Sequence, residues 1–453
     1  MFSKKIQVLT ETIQKLLNCH AEESLKNILS KSHEADIAYV LGQLDPSSQA
    51  QVFSLLKDAM RQAQVLSELS LDQASPLLKI LGAKQAAAIL EQVPPDDVAD
   101  ILEALPNDFS SEILLLLKKE EAEEVEGLIR YSPETAGGIM SPEVFSLPED
   151  WTVAKAIEEV QKKSGVAESV FYLYVVNEQN QLVGVLSLKK LILAPPNTKL
   201  QELMVGDPVR VRLNEDQEEV ARTVSRYNFL SLPVVDDANK LVGVITVDDV
   251  IDVIKEEAAE DMLLMVGLDK AALGKGSLWT SLKKRLPWFL VTLMGGLIAS
   301  EVIRNFSDAI VRLTLLAGFI PLVLGVGASM GIQSMTVVVG ILSLERSGSK
   351  RVWGILFREF RLALIVGILY GVLLALFTHF RYSGDLWLTS AAIGSALVLT
   401  MVIAVMIGTF IPVMFKRIGF DPAIATAPFV TALVHIFCIW AYFALACYFL
   451  KIL

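Results

Sequence analysis

The chain changes its hydrophobic rhythm twice. Up to about residue 130, short apolar segments of helical period alternate with turn-and-cap signals: Leu44-Asp45-Pro46-Ser47, Leu69-Ser70-Leu71-Asp72, Val93-Pro94-Pro95-Asp96 and Leu105-Pro106-Asn107-Asp108. Each sets a Pro or small polar residue, with an Asp close by, ahead of a run such as Val98-Ala99-Asp100-Ile101-Leu102. An oxygen there caps free N–H groups, and a carboxylate meets the positive end of the helix dipole. The last signals recur about 12 residues apart, which predicts short stacked helices, an α-solenoid-like N domain over 1–130. Those Asp residues serve equally as caps or as cation ligands. Between about 131 and 253 the period shortens to that of strands. From Pro287 on, five apolar stretches, roughly 287–304, 309–342, 358–380, 388–415 and 423–450, are each long enough to cross ~30 Å of hydrocarbon. The second and fourth are overlong and predicted to bend. Pro321, Pro412, Pro428 and many glycines lie within these stretches, which suits broken backbone lining an enclosed path. The fold class expected is a multidomain membrane protein.

The strand-rich region contains an internal repeat. Val175-Val176-Asn177-Glu178-Gln179-Asn180-Gln181-Leu182-Val183-Gly184-Val185-Leu186-Ser187 returns 59 residues later as Val234-Val235-Asp236-Asp237-Ala238-Asn239-Lys240-Leu241-Val242-Gly243-Val244-Ile245-Thr246. In both copies a β-branched strand enters a polar turn, a second strand follows, and a helix starts. This resembles a tandem of cystathionine-β-synthase (CBS) domains, α/β modules that usually sense ligands, at about 138–196 and 200–253. The second copy keeps Gly243, Ile245, Thr246 and Asp249, a pattern that in such modules can hold a nucleotide ribose through Thr246 and Asp249. The first copy has Lys190 in place of that Asp. The resemblance therefore implies at most one site, for ATP or another adenine nucleotide.

An acidic helix follows, Asp248-Asp249-Val250-Ile251-Asp252 through Glu260-Asp261, leading towards the membrane. At 3.6 residues per turn Asp249, Asp252 and Glu256 share a face, with Glu260 a turn further on. Like charges at that spacing repel, so cations among them stabilise the helix; a solvated acidic face is the other reading. Its place between sensor and pore favours a cation switch.

Charge separates the two ends. Residues 287–453 hold 11 Lys/Arg and 6 Asp/Glu, a net of +5, whereas 29 basic and 45 acidic residues precede Pro287, a net of −16. An acidic soluble part argues against nucleic acid as a partner, which needs a basic face. A mean hydropathy of +0.49 is high for a soluble chain of 453 residues. Lys283, Lys284 and Arg285, then Arg346, Lys350, Arg351, Arg358 and Arg361, then Lys416 and Arg417 crowd one side of the membrane. Positive residues stay inside, which places the N terminus in the cytoplasm of a multi-pass protein of the inner or plasma membrane. The start has no 7–15-residue apolar core, so the later helices are expected to drive insertion. Three cysteines, Cys19, Cys438 and Cys447, form no disulfide framework or zinc ligand set. No P-loop Gly-x-x-x-x-Gly-Lys-Ser/Thr occurs, and no catalytic constellation is expected.

The order of parts resembles the MgtE family of magnesium channels. The motifs that carry the likeness are Tyr131-Ser132-Pro133-Glu134-Thr135-Ala136-Gly137-Gly138-Ile139-Met140, Asp249-Val250-Ile251-Asp252, Glu260-Asp261, Arg285-Leu286-Pro287-Trp288, Gln333-Ser334, Asp421-Pro422-Ala423 and Pro428-Phe429-Val430-Thr431. The resemblance implies an N domain at 1–130, tandem CBS domains at 131–253, an acidic connecting (plug) helix at 254–283 and a five-helix, all-α transmembrane pore domain at 284–453. It implies a homodimer, five helices being few for a self-contained pore, and a Mg²⁺ channel closed by its own cargo. Cytosolic Mg²⁺ would bridge Asp96 and Asp100 of the N domain, Asp216 and Glu218 of the second CBS copy, and Asp249, Asp252, Glu257, Glu260 and Asp261 of the connecting helix. Asn228, where the family usually has Asp, and Lys255 would both lower site charge.

The pore departs further from the family. Its Gly-Gly-Asn-x-Gly-Asn-Gln-Ser reads Gly327-Ala328-Ser329-Met330-Gly331-Ile332-Gln333-Ser334 here, and its pore Asp is His435, four residues beyond Thr431. The acidic residue closing the first helix is Ser307, although Asp308 adjoins it. The candidate pore residues are therefore Ser329, Gln333, Thr431 and His435. Mg²⁺ is a hard ion that wants oxygen, whereas imidazole suits Zn²⁺, Co²⁺ or Ni²⁺. This leaves three readings: a Mg²⁺-gated divalent-cation channel, the same fold passing another divalent cation or solute, and a non-conducting membrane-anchored sensor of cations or nucleotide.

Overall fold

Asp45 accepts hydrogen bonds from the N–H groups of Ser47 (3.1 Å) and Ser48 (3.2 Å), and Asp58 accepts one from Arg61 (2.7 Å), each starting a helix. Such caps recur because short helices have few internal bonds and many free N–H groups. The computed structural model describes residues 2–163, 172–268, 278–312, 314–344, 349–382, 387–424 and 427–450. The chain forms two compact units, Met1–Lys255 and Glu256–Leu453, each taken here by itself.

In the first unit ten short helices run from Phe2 to Leu128. Their buried faces, among them Leu25, Ile37, Phe53, Leu66, Leu78 and Ile101, meet in one core. Arg61 ties three segments together, donating to the carbonyls of Leu29 (3.0 Å) and Ser32 (2.7 Å) and pairing with Glu34 (3.3 Å). The same core continues through Ala136 and Met140 into Val211, Val220, Leu232, Ile245 and Val250 of the second repeat.

The repeat forms two small sheets. Strands β1 (Ser146–Pro148), β2 (Tyr172–Val176), β3 (Leu182–Ser187) and β4 (Val205–Gly206) lie in that order, with β1 parallel to β2 and the rest antiparallel. Strands β5 (Val211–Arg212), β6 (Ser231–Val235) and β7 (Leu241–Thr246) make the second. The hairpins match in register: Val176 faces Leu182 and Val235 faces Leu241, each after an irregularity one residue earlier. They also clasp each other. Leu182 N–H donates to Asn239 O (2.9 Å) and Leu241 N–H to Asn180 O (3.1 Å). Both asparagines hold left-handed φ, 61° and 62°, which their short polar side chains tolerate. Tyr174 Oη meets Ser231 Oγ at 2.9 Å between the copies.

The acidic helix is Val247–Met265 and takes in the acidic stretch from Asp248 to Asp261. It ends in a Schellman turn, with Leu268 N–H on Leu263 O and Gly267 at φ 77°, a conformation that costs Gly least. In the second unit Leu264 and Met265 pack on a core of Met335, Val339, Ala404, Val430 and Val434.

Among the described residues five helices are long and apolar enough to cross a membrane: Ser281–Asn305, Ile320–Leu342, Trp353–Arg381, Trp387–Ile418 and Ala427–Leu450. The stretch expected at 309–342 as one bent span is divided. Ser307–Arg312 and Thr314–Gly318 are helical, a turn at Phe319 follows, and the span starts at Ile320. Pro321 falls at its second position, where a missing N–H costs nothing. Where helices cross, glycine lets backbones touch. A Cβ on Gly408 would stand 2.1 Å from Gly331 O, and one on Gly394 2.4 Å from Gly371 O. Association in lipid depends on such close packing of small residues.

Candidate functional site

In the first unit carboxylates converge where the Pro95–Glu103 helix meets the start of Val247–Met265. Pro95 opens the first of these helices and places Asp96 and Asp97 in its first turn. Half-buried Asp97 has its carboxyl held above the ordinary carboxylate range, chiefly by burial. A hydrogen bond from Ser67 opposes the shift, and the charges of Asp248, Glu68 and Asp252 add to it. Asp249 is pushed up to about 6, again chiefly by burial, with Thr246 hydrogen bonds opposing and Asp248 and Asp97 adding. The like charges come from three chain segments, and a divalent cation relieves such an arrangement.

The residues nominated from sequence are placed as follows. Asp96 is half-buried beside Asp97, whereas Asp100 is exposed a turn later. Asp216 caps the Gln217–Tyr227 helix, accepting Glu218 N–H at 2.8 Å. Glu218 pairs with Arg222, as does Glu219 at 3.0 Å. Asp252 pairs with Lys255 at 2.7 Å on an exposed face. Glu257, Glu260 and Asp261, half-buried, belong to the second unit. Asn228 closes the Gln217–Tyr227 helix in left-handed conformation, φ 54°, a position suited to Asn. Reasoning from sequence missed Asp97, Glu68 and Asp248. The doubled Asp96-Asp97 and Asp248-Asp249 were the signal available. Among the described residues no three His, Cys, Asp or Glu side chains stand close enough to hold a bare metal ion. Mg²⁺ keeps several of its waters, so it suits a looser carboxylate set.

Thr246 and Asp249 stand together. Asp249 Oδ2 accepts both the N–H (3.1 Å) and the hydroxyl of Thr246. In the first copy Ser187 Oγ instead accepts Lys190 N–H at 3.3 Å, and Lys190 Nζ donates to Leu203 O.

In the second unit Gln333 Nε2 donates to Ser329 Oγ (3.2 Å) one turn back, and both side chains are exposed on the single chain. Thr431 and His435 lie one turn apart on the Ala427–Leu450 helix, half-buried. The two helices touch near both pairs, since a Cβ on Gly331 would lie 3.1 Å from Val434 and 3.5 Å from Val430. One further ionisable group was missed. Glu359 is buried and accepts Ser334 Oγ at 3.0 Å. As the lone acidic residue of 358–380 it was visible in the sequence.

Comparison with known proteins agrees with this architecture. Residues 320–445 match the MgtE family model, a divalent cation transporter; 32–134 match the MgtE intracellular N domain; 136–197 and 200–256 each match the CBS domain. The magnesium transporter MgtE of Bacillus subtilis is 38% identical over 330 residues, 72% of each chain. That of Thermus thermophilus is 36% identical over 320 residues, 68% of this chain and 69% of the relative. A crystal structure of the cytosolic domain of the Mg²⁺ channel MgtE in complex with ATP superposes with a TM-score of 0.52 at 38% identity, covering 54% of this chain and 99% of that one. The crystal structure of the soluble part of a magnesium transporter gives the same TM-score at 30% identity, covering 56% and 99%. The chain belongs to the MgtE family of divalent-cation transporters.

Proposed function

We propose that this protein is a Mg²⁺ channel of the inner or plasma membrane, gated by cytosolic Mg²⁺ and working passively as a homodimer with its N terminus in the cytoplasm. The relatives named as magnesium transporters support the cargo. One observation carries the gating: carboxylates of the N domain and of the helix after the second CBS copy raise one another's proton affinity. Bound Mg²⁺ would bridge Asp97, Asp248 and Asp252, with Asp96, Asp100, Asp216, Glu218 and Asp249 contributing to neighbouring sites. Glu257, Glu260 and Asp261 carry the acidic face onward. Without Mg²⁺, repulsion separates the N domain (1–130) from the CBS pair (131–253) and relaxes the connecting segment (254–283) that leads to the pore domain (284–453). The work is transport, with no catalytic cycle.

A second cytosolic ligand fits the second CBS copy. Both Thr246 bonds end on Asp249 Oδ2, which leaves Oδ1 for a ribose hydroxyl. A relative's cytosolic domain was crystallised with ATP. ATP or another adenine nucleotide would steady the start of the acidic helix.

In the pore, Ser329, Gln333, Thr431 and His435 face the cation. His435 favours a second reading, in which the fold passes a softer divalent ion, since imidazole suits Co²⁺, Ni²⁺ or Zn²⁺ better than Mg²⁺. The deciding experiment is uptake into liposomes holding the full-length protein, with Mg²⁺ compared against Mn²⁺, Co²⁺, Ni²⁺ and Zn²⁺. Mg²⁺ entry that declines as Mg²⁺ rises on the cytoplasmic face supports the first reading. Transition-metal entry alone establishes the second, and no entry of any ion leaves a membrane-anchored sensor.

A further inference from the structure

We propose that Glu359 is a positioning residue of the pore: through Ser334 it sets the rotation of the helix that presents Ser329 and Gln333. The inference rests on the pore reading above. Glu359 lies near the start of the Trp353–Arg381 span, yet its residue is only 4% exposed. An ionisable group inside a membrane helix is costly, and where it persists it serves a function or a partner. Both of its oxygens are engaged. Oε1 accepts a bond from the Arg358 guanidinium (3.2 Å), and Oε2 accepts Ser334 Oγ (3.0 Å) from the Ile320–Leu344 helix.

Ser334 is itself only 1% exposed and follows Gln333 directly. Successive helix residues step about 100° around the axis. Holding Ser334 against the third span therefore turns Gln333, and Ser329 one turn earlier, onto a different face, where both are exposed and joined by their own hydrogen bond. The neighbouring crossing at Gly331 and Gly408 sets how closely the backbones approach, and the Ser334–Glu359 bond adds a side-chain contact to a third helix. A charge-assisted bond in a dry interior is directional and so holds the rotation. Arg358, with its side chain 63% exposed, compensates the carboxylate from the wetter side.

The test uses the full-length protein in liposomes and reads the ratio of Mg²⁺ to Co²⁺ uptake. Ser334→Ala and Glu359→Ala are expected to change that ratio about five- to ten-fold, the equivalent of one net hydrogen bond. The double variant should change it no further, because both substitutions remove one interaction. Ser334→Thr and Glu359→Gln keep an oxygen at each end and should hold the ratio within about two-fold. A second readout needs no flux: in a Cys19→Ser background, with Cys438 and Cys447 buried, the labelling rate of Gln333→Cys by a water-soluble maleimide should fall when Ser334→Ala is added. An unchanged ratio and an unchanged labelling rate in Ser334→Ala would overturn the proposal and leave Glu359 a packing group. Should Glu359→Ala fail to fold, Ser334→Ala still removes the bond. If the unmodified protein passes no ion, the pore reading fails while the labelling rate decides the positioning role.

Discussion

Asp97, in the first turn of a helix of the N domain, lies within the field of Asp248, at the start of the helix that leaves the second CBS copy. Two carboxylates from distant chain segments, Asp97 half-buried and Asp248 exposed, lie within reach of each other's charge, and the protein tolerates the repulsion. Asp97→Asn should therefore stabilise the Mg²⁺-free protein by about 0.5–1 kcal/mol, the scale of a partly exposed charge pair. The same change should shrink the stabilisation that Mg²⁺ confers. Melting curves with and without Mg²⁺ check both; an Asn variant that melts lower without Mg²⁺ and keeps the full Mg²⁺ effect would contradict the bridging role.

The raised affinity of Asp249 for its proton has a definite sign in pH. Its carboxyl titrates at about 6 in the folded chain against an ordinary 3.8, so the folded state holds the extra proton between those values. Stability from this group is present in full below about 4 and is lost as pH rises through about 6, by at most about 3 kcal/mol. Asp97 shifts in the same direction. In Mg²⁺-free buffer the melting temperature should fall between pH 4 and 6, and fall less in Asp249→Asn. Mg²⁺, which competes with the proton, should stabilise more at pH 7.5 than at pH 5.

His435 offers the simplest test of cargo. His435→Asp places a hard oxygen donor where imidazole stands and should raise Mg²⁺ uptake several-fold relative to Co²⁺ and Ni²⁺. Liposome uptake of the three ions measures it. A ratio unmoved by the substitution would remove His435 from the ion path.

The glycine crossings predict an asymmetric response to one methyl group. Gly408→Ala forces a carbon to within 2.1 Å of Gly331 O, and the helices must part. A loss of about 1–3 kcal/mol, the cost of overpacking, follows. Gly296→Ala meets nothing within 4 Å and should be neutral. Thermal stability of the two variants in detergent makes the comparison.

Much of this protein was legible along the chain because its signals are local. Five apolar runs announce five membrane helices, since the bilayer sets their length. The repeat at 175–187 and 234–246 announces paired hairpins, since each copy folds on its own neighbours in sequence. The Asp45 cap needs only the residues that follow it. Tertiary structure alone decided which carboxylates meet. The family resemblance pointed to Asp96 and Asp100, but packing brought Asp97 towards Asp248 and Asp252, and left Glu218 beside Arg222. It also decided that Pro321 starts a helix instead of bending one, and that Glu359 reaches Ser334 across a helix boundary. Periodicity tells which face of a helix is wet. The partner that face meets depends on how several helices pack against one another, and no single segment carries that information.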